Sequence, residues 1–168
     1  MAVVNTPWVL DQIYINGVNY STQASAGPLG FKCWSIYDTI IKEEEVQDYL
    51  RNVLEPLIIP GVSFGLFDNA SNQKTLGARL AMEEVFEGRY CYVPPYSPHL
   101  KPIERMFKLV KQYIQDNEDR AVQNPLGVIN EAFTLQRGEP WRTFCVQPLE
   151  FIQAKYGLTC FVLLVSLT

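Results

Sequence analysis

The chain has 168 residues, of which 48% are hydrophobic and 19% charged, so we expect one globular domain with a sizeable core rather than a disordered chain. The net charge of −4 argues against a general nucleic-acid binder, because phosphate contacts need clustered Lys and Arg; a nucleic-acid role therefore requires a local basic surface or a metal ion. Four cysteines without a CxxC pair and a single histidine give no support to a zinc site.

The first third of the chain is rich in strand-forming residues and then changes period. Residues 8–20 alternate and carry Asn16-Gly17 as a hairpin turn, which predicts two strands, the second over 18–23. Residues 31–41 predict a third strand. From 43 to 57 the apolar residues follow helical spacing, and the acidic start suits the positive end of a helix.

The middle of the chain alternates between strands and helices. Residues 62–67 form a short apolar run that predicts a central strand buried on both faces. A helix over 74–86 and a short strand over 90–93 follow. The apolar side expected for this helix consists of Leu76, Leu80, Val85 and Phe86. Prolines then exclude regular structure until a helix begins at Pro102, because proline is favoured at the first helical position.

The helix that begins at Pro102 has a strong apolar stripe, and a further helix is predicted over 126–135. The stripe consists of Ile103, Met106, Phe107, Val110, Tyr113 and Ile114. The apolar end, 157–168, is too short to cross a bilayer, which leaves a buried strand, a helix or a segment foreign to the domain. The start lacks the features of a signal peptide, so we expect an intracellular protein without a membrane span.

This order of elements predicts an α/β fold with a mixed sheet, in which antiparallel strands come first and crossover connections later, flanked by helices. We divide the chain into a catalytic-core-like part over 8–120 and a C-terminal helical extension over 121–168, whose packing the sequence does not indicate.

Two acidic residues stand at the ends of predicted elements. Asp68 ends a strand, at the edge of α/β sheets where ligands usually bind, and Glu104 is the third residue of a helix. Carboxylates placed in this way can converge on a pair of Mg²⁺ ions, which stabilise the attacking and leaving oxygens of a phosphodiester displacement. The alternative interpretation is a turn or cap residue at 68 and a residue that satisfies the helix dipole at 104.

The sequence around these acids resembles a known family. Asp68-Asn69-Ala70, followed by YVPPYSPHLKPIE over 92–104, closely resembles the DDE domain of mariner-like DNA transposases. In that family a strand ends in Asp-Asn-Ala, and the second block reads Pro-Pro-Tyr-Ser-Pro-Asp-Leu-Asn-Pro-Ile-Glu. A looser similarity runs from about residue 13 to residue 114.

The resemblance implies an RNase H-like fold of the integrase-like superfamily. It also implies metal-dependent DNA cleavage and strand transfer in cut-and-paste transposition and integration, with Mg²⁺ or Mn²⁺ as cofactor, DNA as partner and a nuclear location. By the same resemblance Asp68 corresponds to the second catalytic and metal-binding acid, and Glu104 to the third.

The chain also departs from the family. The first acid of such a site lies on an opening strand far upstream of Asp68, and we expect this chain to lack it through truncation at its N-terminus. Asp11 is kept open as a substitute ligand, whereas Asp38 is better interpreted as a helix cap. His99 replaces the usual Asp of the second block and Lys101 the usual Asn; His99 is interpreted as a loop or cap residue.

A basic run follows the helix that carries Glu104. It consists of Lys101, Arg105, Lys108 and Lys111, which are either nucleic-acid contacts or an ordinary solvated face. Our leading hypothesis is a transposon-derived, DDE endonuclease-like domain that is inactive alone, with a homodimer left open. The alternatives are an enzyme completed by Asp11 and a domesticated, non-catalytic module that binds nucleic acid or protein.

Overall fold

The structure is a computed structural model of the chain. It describes residues 13–27, 30–69, 71–95, 97, 100, 102–136, 140–157 and 162–167. Its strands are β1 (Ile13–Ile15), β2 (Val18–Gly27), β3 (Gly30–Tyr37), β4 (Gly65–Phe67), β5 (Tyr90–Tyr92) and β6 (Val162–Leu167). Its helices are α1 (Glu43–Asp48), α2 (Leu76–Phe86), α3 (Pro102–Asp116), α4 (Glu118–Gln123), α5 (Pro125–Leu135) and α6 (Pro140–Tyr156).

The strands form one mixed sheet. β2 pairs in antiparallel fashion with β1, β3 and β6, and β4 lies parallel between β6 and β5. The turn between β1 and β2 is the predicted one, since Asn16 and Gly17 both have positive φ, at 50° and 82°. The predicted α/β class, with antiparallel strands first, is therefore confirmed.

Helices cover both faces of this sheet. On one face, three helical segments pack around Phe67: α1, α2 and the π-helical turn Tyr49–Leu54. The π-helical turn follows α1 directly and precedes the 3₁₀ turn Glu55–Leu57. On the other face, α3 and α5 pack on β1, β2 and β3 through a second core. The alternation of β2 decides which residue joins which layer: Ala24 lies in the α3 core, whereas Ser25 contacts Tyr49 on the opposite face.

The prediction for the apolar side of α2 is confirmed for Val85 and Phe86 and wrong for Leu76 and Leu80. Leu76 is 74% exposed and Leu80 58% exposed. The buried side instead consists of Ala78, Ala81, Met82, Val85 and Phe86. Thr75 caps the helix by accepting a hydrogen bond from the Ala78 amide, and the two leucines, one turn apart, fall on the side facing solvent. The sequence showed the helical period, but the small alanines mark the packed side.

The apolar end of the chain is a strand, and its place in the sheet was not expected. β6 lies between β2 and β4, so it joins the antiparallel strands to the parallel pair. Together with α5, which packs against α3 in the core on β1 to β3, it ties the last third of the chain to the same sheet. Within the described ranges, no helix is both long and apolar enough to span a membrane.

The Tyr49 hydroxyl is buried in a polar cluster that crosses from the helices to the sheet. It lies 2.8 Å from Ser25 Oγ and 3.2 Å from Cys33 Sγ, and it donates to the Cys33 carbonyl oxygen at 3.1 Å. Burial raises the pKa of Tyr49 well above its ordinary value of 10.0, and the neighbouring Cys33 raises it further. The folded state therefore keeps this phenol protonated at a pH where the unfolded chain releases the proton.

We expect Tyr49→Phe to lower the free energy of unfolding by about 1–2 kcal/mol at neutral pH, because the buried partners lose a hydrogen bond. The stability that Tyr49 protonation provides is complete below pH 10.0 and is lost as the pH rises further. The variant should therefore lose less stability than the wild type between neutral and strongly alkaline pH in urea titrations. Tyr14→Phe, at an exposed tyrosine, is the control. An unchanged alkaline slope in Tyr49→Phe would contradict this account.

Candidate functional site

Asp68 lies directly after β4, at the carboxyl end of the parallel strands. The Phe67 carbonyl before it accepts a hydrogen bond from the Val93 amide at 2.7 Å, which continues the pairing of β4 with β5. β6 is parallel to β4 as well, so the carboxyl ends of β4, β5 and β6 meet at one edge of the sheet. This is the edge where α/β sheets usually bind their ligands, and the predicted position of Asp68 at the end of a strand is confirmed.

The loop that follows Asp68 is held by side-chain hydrogen bonds. The Asp68 carboxylate accepts from the Asn69 amide at 2.7 Å, and the Asn69 side chain donates to the Val93 carbonyl. Farther along the loop, the Tyr92 hydroxyl donates to the Gln73 carbonyl at 2.7 Å. These bonds fix the backbone on both sides of Asp68. Its half-buried side chain is therefore attached to an ordered part of the sheet edge.

Glu104 lies in the first turn of α3 with its side chain exposed, as predicted for the third residue of that helix. Leu100, just before α3, is buried against Leu66 of β4 and Val93. Leu66 and Asp68 are two residues apart, and strand residues two apart share a face of the sheet. The start of α3 and Asp68 therefore lie at the same edge and on the same face.

The described residues do not fit a metal pair. Across the described residues, no group of three His, Cys, Asp or Glu side chains is arranged to hold a metal ion. Asp68 and Glu104 offer carboxylate oxygens of the type that Mg²⁺ and Mn²⁺ prefer, but a two-metal site needs a further ligand to hold the ions close together. Asp11, the substitute ligand considered from sequence, lies outside the described residues, and Asp38 is exposed after β3.

The basic run extends along the part of α3 that does not face the core. Arg105 and Lys108 are exposed and Lys111 is half-buried, whereas Ile103, Met106 and Phe107 are buried. Lys101 and His99 lie outside the described residues. The exposure of these basic side chains fits both interpretations, contacts with phosphates and an ordinary solvated face of α3.

Sequence reasoning missed a basic residue beside the sheet edge. Lys74 follows the Asp68 loop, is exposed, and places its Nζ 6.0 Å from the centre of the Tyr92 ring on β5. It adds positive charge on the α2 side of the edge, opposite the side of α3. Only the pairing of β4 with β5 brings Lys74 and Tyr92 together, and no local motif marks that contact.

The two cysteines that the structure describes do not provide an activated nucleophile. Cys33 and Cys91 are free and half-buried. Burial raises the pKa of both thiols above the ordinary value of 9.0, and the hydrogen bonds between Cys33 and Tyr49 and between Cys91 and Tyr156 only partly offset this. A nucleophilic cysteine needs a lowered pKa, which neither of these two thiols has.

Comparison of the chain with protein-family models, with curated proteins and with solved structures gives no match.

Proposed function

We propose that the chain is a transposon-derived, DDE endonuclease-like domain that binds DNA and does not cleave it alone. The supporting observation is the shared position of two acids: Asp68 directly follows β4, and Glu104 lies in the first turn of α3, which begins on the same face and at the same edge of the sheet. These acids belong to the two blocks that resemble mariner-like transposases. A nuclear location and an origin in DNA transposition follow from the same proposal.

An incomplete set of acidic ligands is the proposed reason for the loss of cleavage. Two carboxylates with no third acidic ligand among the described residues would leave the negative charge of an attacked phosphodiester poorly compensated. We therefore propose that the sheet edge with Asp68 and Glu104 is inherited from an active transposase. Nearby cations contact the phosphate backbone of DNA, and no step depends on bound metal.

The cations that we propose for a DNA contact lie on α3 and beside β5. Arg105 and Lys108 are exposed on α3, and Lys74 is exposed beside β5. On a chain with a net charge of −4, such a surface must be local, and its affinity for DNA should fall steeply as salt is added. Lys111, and Lys101 outside the described residues, extend the proposed surface along the sequence.

We expect the purified chain to produce no nicks in supercoiled DNA in the presence of Mg²⁺ or Mn²⁺. The physical reason is the incomplete set of acids around Asp68 and Glu104. The assay follows the conversion of supercoiled to open-circular plasmid, with Glu104→Ala prepared in parallel. Robust cleavage by the wild type that Glu104→Ala abolishes would show that the domain is active, and the proposed inactivity would then be wrong.

We expect Lys108→Glu to weaken binding to a DNA duplex at low salt and to lower the slope of log affinity against log salt by about 1 for the lost contact. Lys32→Glu is the matched control, since Lys32 is also exposed and causes the same change in net charge on β3, away from α3. Equal losses in both variants would indicate only a general charge effect. Absence of DNA binding in the wild type would contradict the proposal.

A second candidate, a domesticated module that binds a protein, is favoured by one observation. Leu76 and Leu80 lie one turn apart on α2 and are both exposed, so two large apolar side chains lie next to each other at the surface. Tight, salt-insensitive binding to a protein partner, lost in Leu76→Ser but kept in Lys108→Glu, together with no affinity for DNA, would support this candidate over the first.

A further inference from the structure

The central strand β6 determines which residue stands beside Asp68. In the pairing of β4 with β6, Phe67 is opposite Leu164. Asp68 directly follows Phe67, so the same parallel register, continued by one residue, places position 165 beside Asp68. In the pairing of β2 with β6, position 165 is opposite Ala24. Neighbouring strands lie about 4.8 Å apart. Ala24, Val165 and Asp68 therefore form a row across three strands.

This row lies on the face that α3 covers. Ala24 belongs to the core that includes Ile103 and Met106 of α3. Leu66, two residues before Asp68, packs with Leu100, which lies just before the same helix. Because strand residues alternate between faces, position 165 shares this face and position 166 belongs to the opposite one. Position 165 is thus the place on β6 from which a third ligand could join Asp68 and the first turn of α3.

We propose that position 165 decides whether the sheet edge at Asp68 binds a divalent cation, and that valine at this position leaves the site without its third ligand. The inference depends on the proposed function only for the choice of Asp68 and Glu104 as the site. A carboxylate at 165 would lie one strand away from Asp68, close enough for both to hold one ion, whereas valine offers no donor atom. The residue at position 165 of β6 therefore decides whether the two acids, Asp68 and Glu104, can bind an ion.

The test is Mn²⁺ binding by the full chain without DNA, followed by isothermal titration and by loss of the electron paramagnetic resonance signal of free Mn²⁺. We expect Val165→Asp to bind Mn²⁺ more tightly than the wild type by about tenfold or more. Adding Asp68→Asn to this variant should remove the gain. Ser166→Asp, with the same added charge one residue along on the opposite face, should bind Mn²⁺ as the wild type does.

Two further measurements cover a variant that folds poorly. A carboxylate in this row can destabilise the apo chain, in which case Mn²⁺ should raise the Tm of Val165→Asp and leave that of Ser166→Asp unchanged. Val165→Asn adds a neutral oxygen ligand without a charge, so it should fold more readily and show a smaller gain. The proposal is overturned if the folded variants at 165 bind no better than the wild type, or if Ser166→Asp gains equally. Plasmid nicking and DNA binding test the proposed function separately, since neither enters this comparison.

Discussion

Leu164→Pro is expected to lower the free energy of unfolding by about 3 kcal/mol or more, a large part of the stability of an ordinary domain. Leu164 is paired on both sides, with Ser25 of β2 and Phe67 of β4, so it occupies the centre of the joining strand. Proline has no amide hydrogen and is confined to edge strands and bulges. At this position it interrupts the connection between the two parts of the sheet.

The matched control is Leu164→Val, which keeps the amide hydrogen and should cost no more than about 1.5 kcal/mol. Urea denaturation followed by circular dichroism gives the free energies. Hydrogen exchange adds the location: β4 and β5 should lose protection first, because among the described residues their backbone pairing reaches the other strands only through β6. Equal stabilities for the two variants would show that β6 contributes little to the sheet.

The type and order of the elements could be predicted because their patterns are local. The stripe of Ile103, Met106 and Phe107 repeats at helical spacing, and all three are buried on α3. Asn16-Gly17 tolerates positive φ, which a tight hairpin turn requires. Each of these signals is contained in a few adjacent residues, so the rest of the fold does not have to be known.

The first half of the buried side of α2 and the place of β6 could not be predicted, because both depend on distant parts of the chain. Ala78 and Ala81 are buried while Leu76 is exposed, and which of these side chains packs on the sheet depends on how α2 is placed by the rest of the fold. Residues 162–167 pair with residues 22–26 and 65–67. An apolar run of this length predicts a strand, but its pairing partners depend on tertiary structure.

The same difference between local and distant determinants applies to the candidate site. Sequence placed Asp68 and Glu104 at the ends of their elements, which the structure confirms. That they share a face depends on the contact of Leu100 with Leu66, which no local pattern reveals. The residue beside Asp68 on β6 depends on strand register, where a slip of one residue would exchange the two faces. The acids were therefore predictable, and their neighbours were not.

Phe133→Ala is expected to lower the free energy of unfolding by about 3–5 kcal/mol, because it removes an aromatic ring where three elements meet. The Phe133 ring centre lies 4.7 Å from that of Phe31 on β3 and 5.7 Å from that of Phe107 on α3, both in edge-to-face geometry. Trp34 stacks on it at 5.3 Å. The side chain is fully buried, so truncation leaves a cavity as well as lost contacts.

For a chain of this size the loss corresponds to a fall in Tm of roughly 10 °C, measured by calorimetry, with a change in Trp34 fluorescence. Leu135→Ala on the same helix is the control, since Leu135 is 55% exposed and should change the stability by about 0.5 kcal/mol or less. Because Phe107 belongs to α3, Phe133→Ala should also loosen the helix that carries Glu104. Similar stabilities in the two variants would mean that α5 does not hold α3 on the sheet, and the position of Glu104 would then need another support.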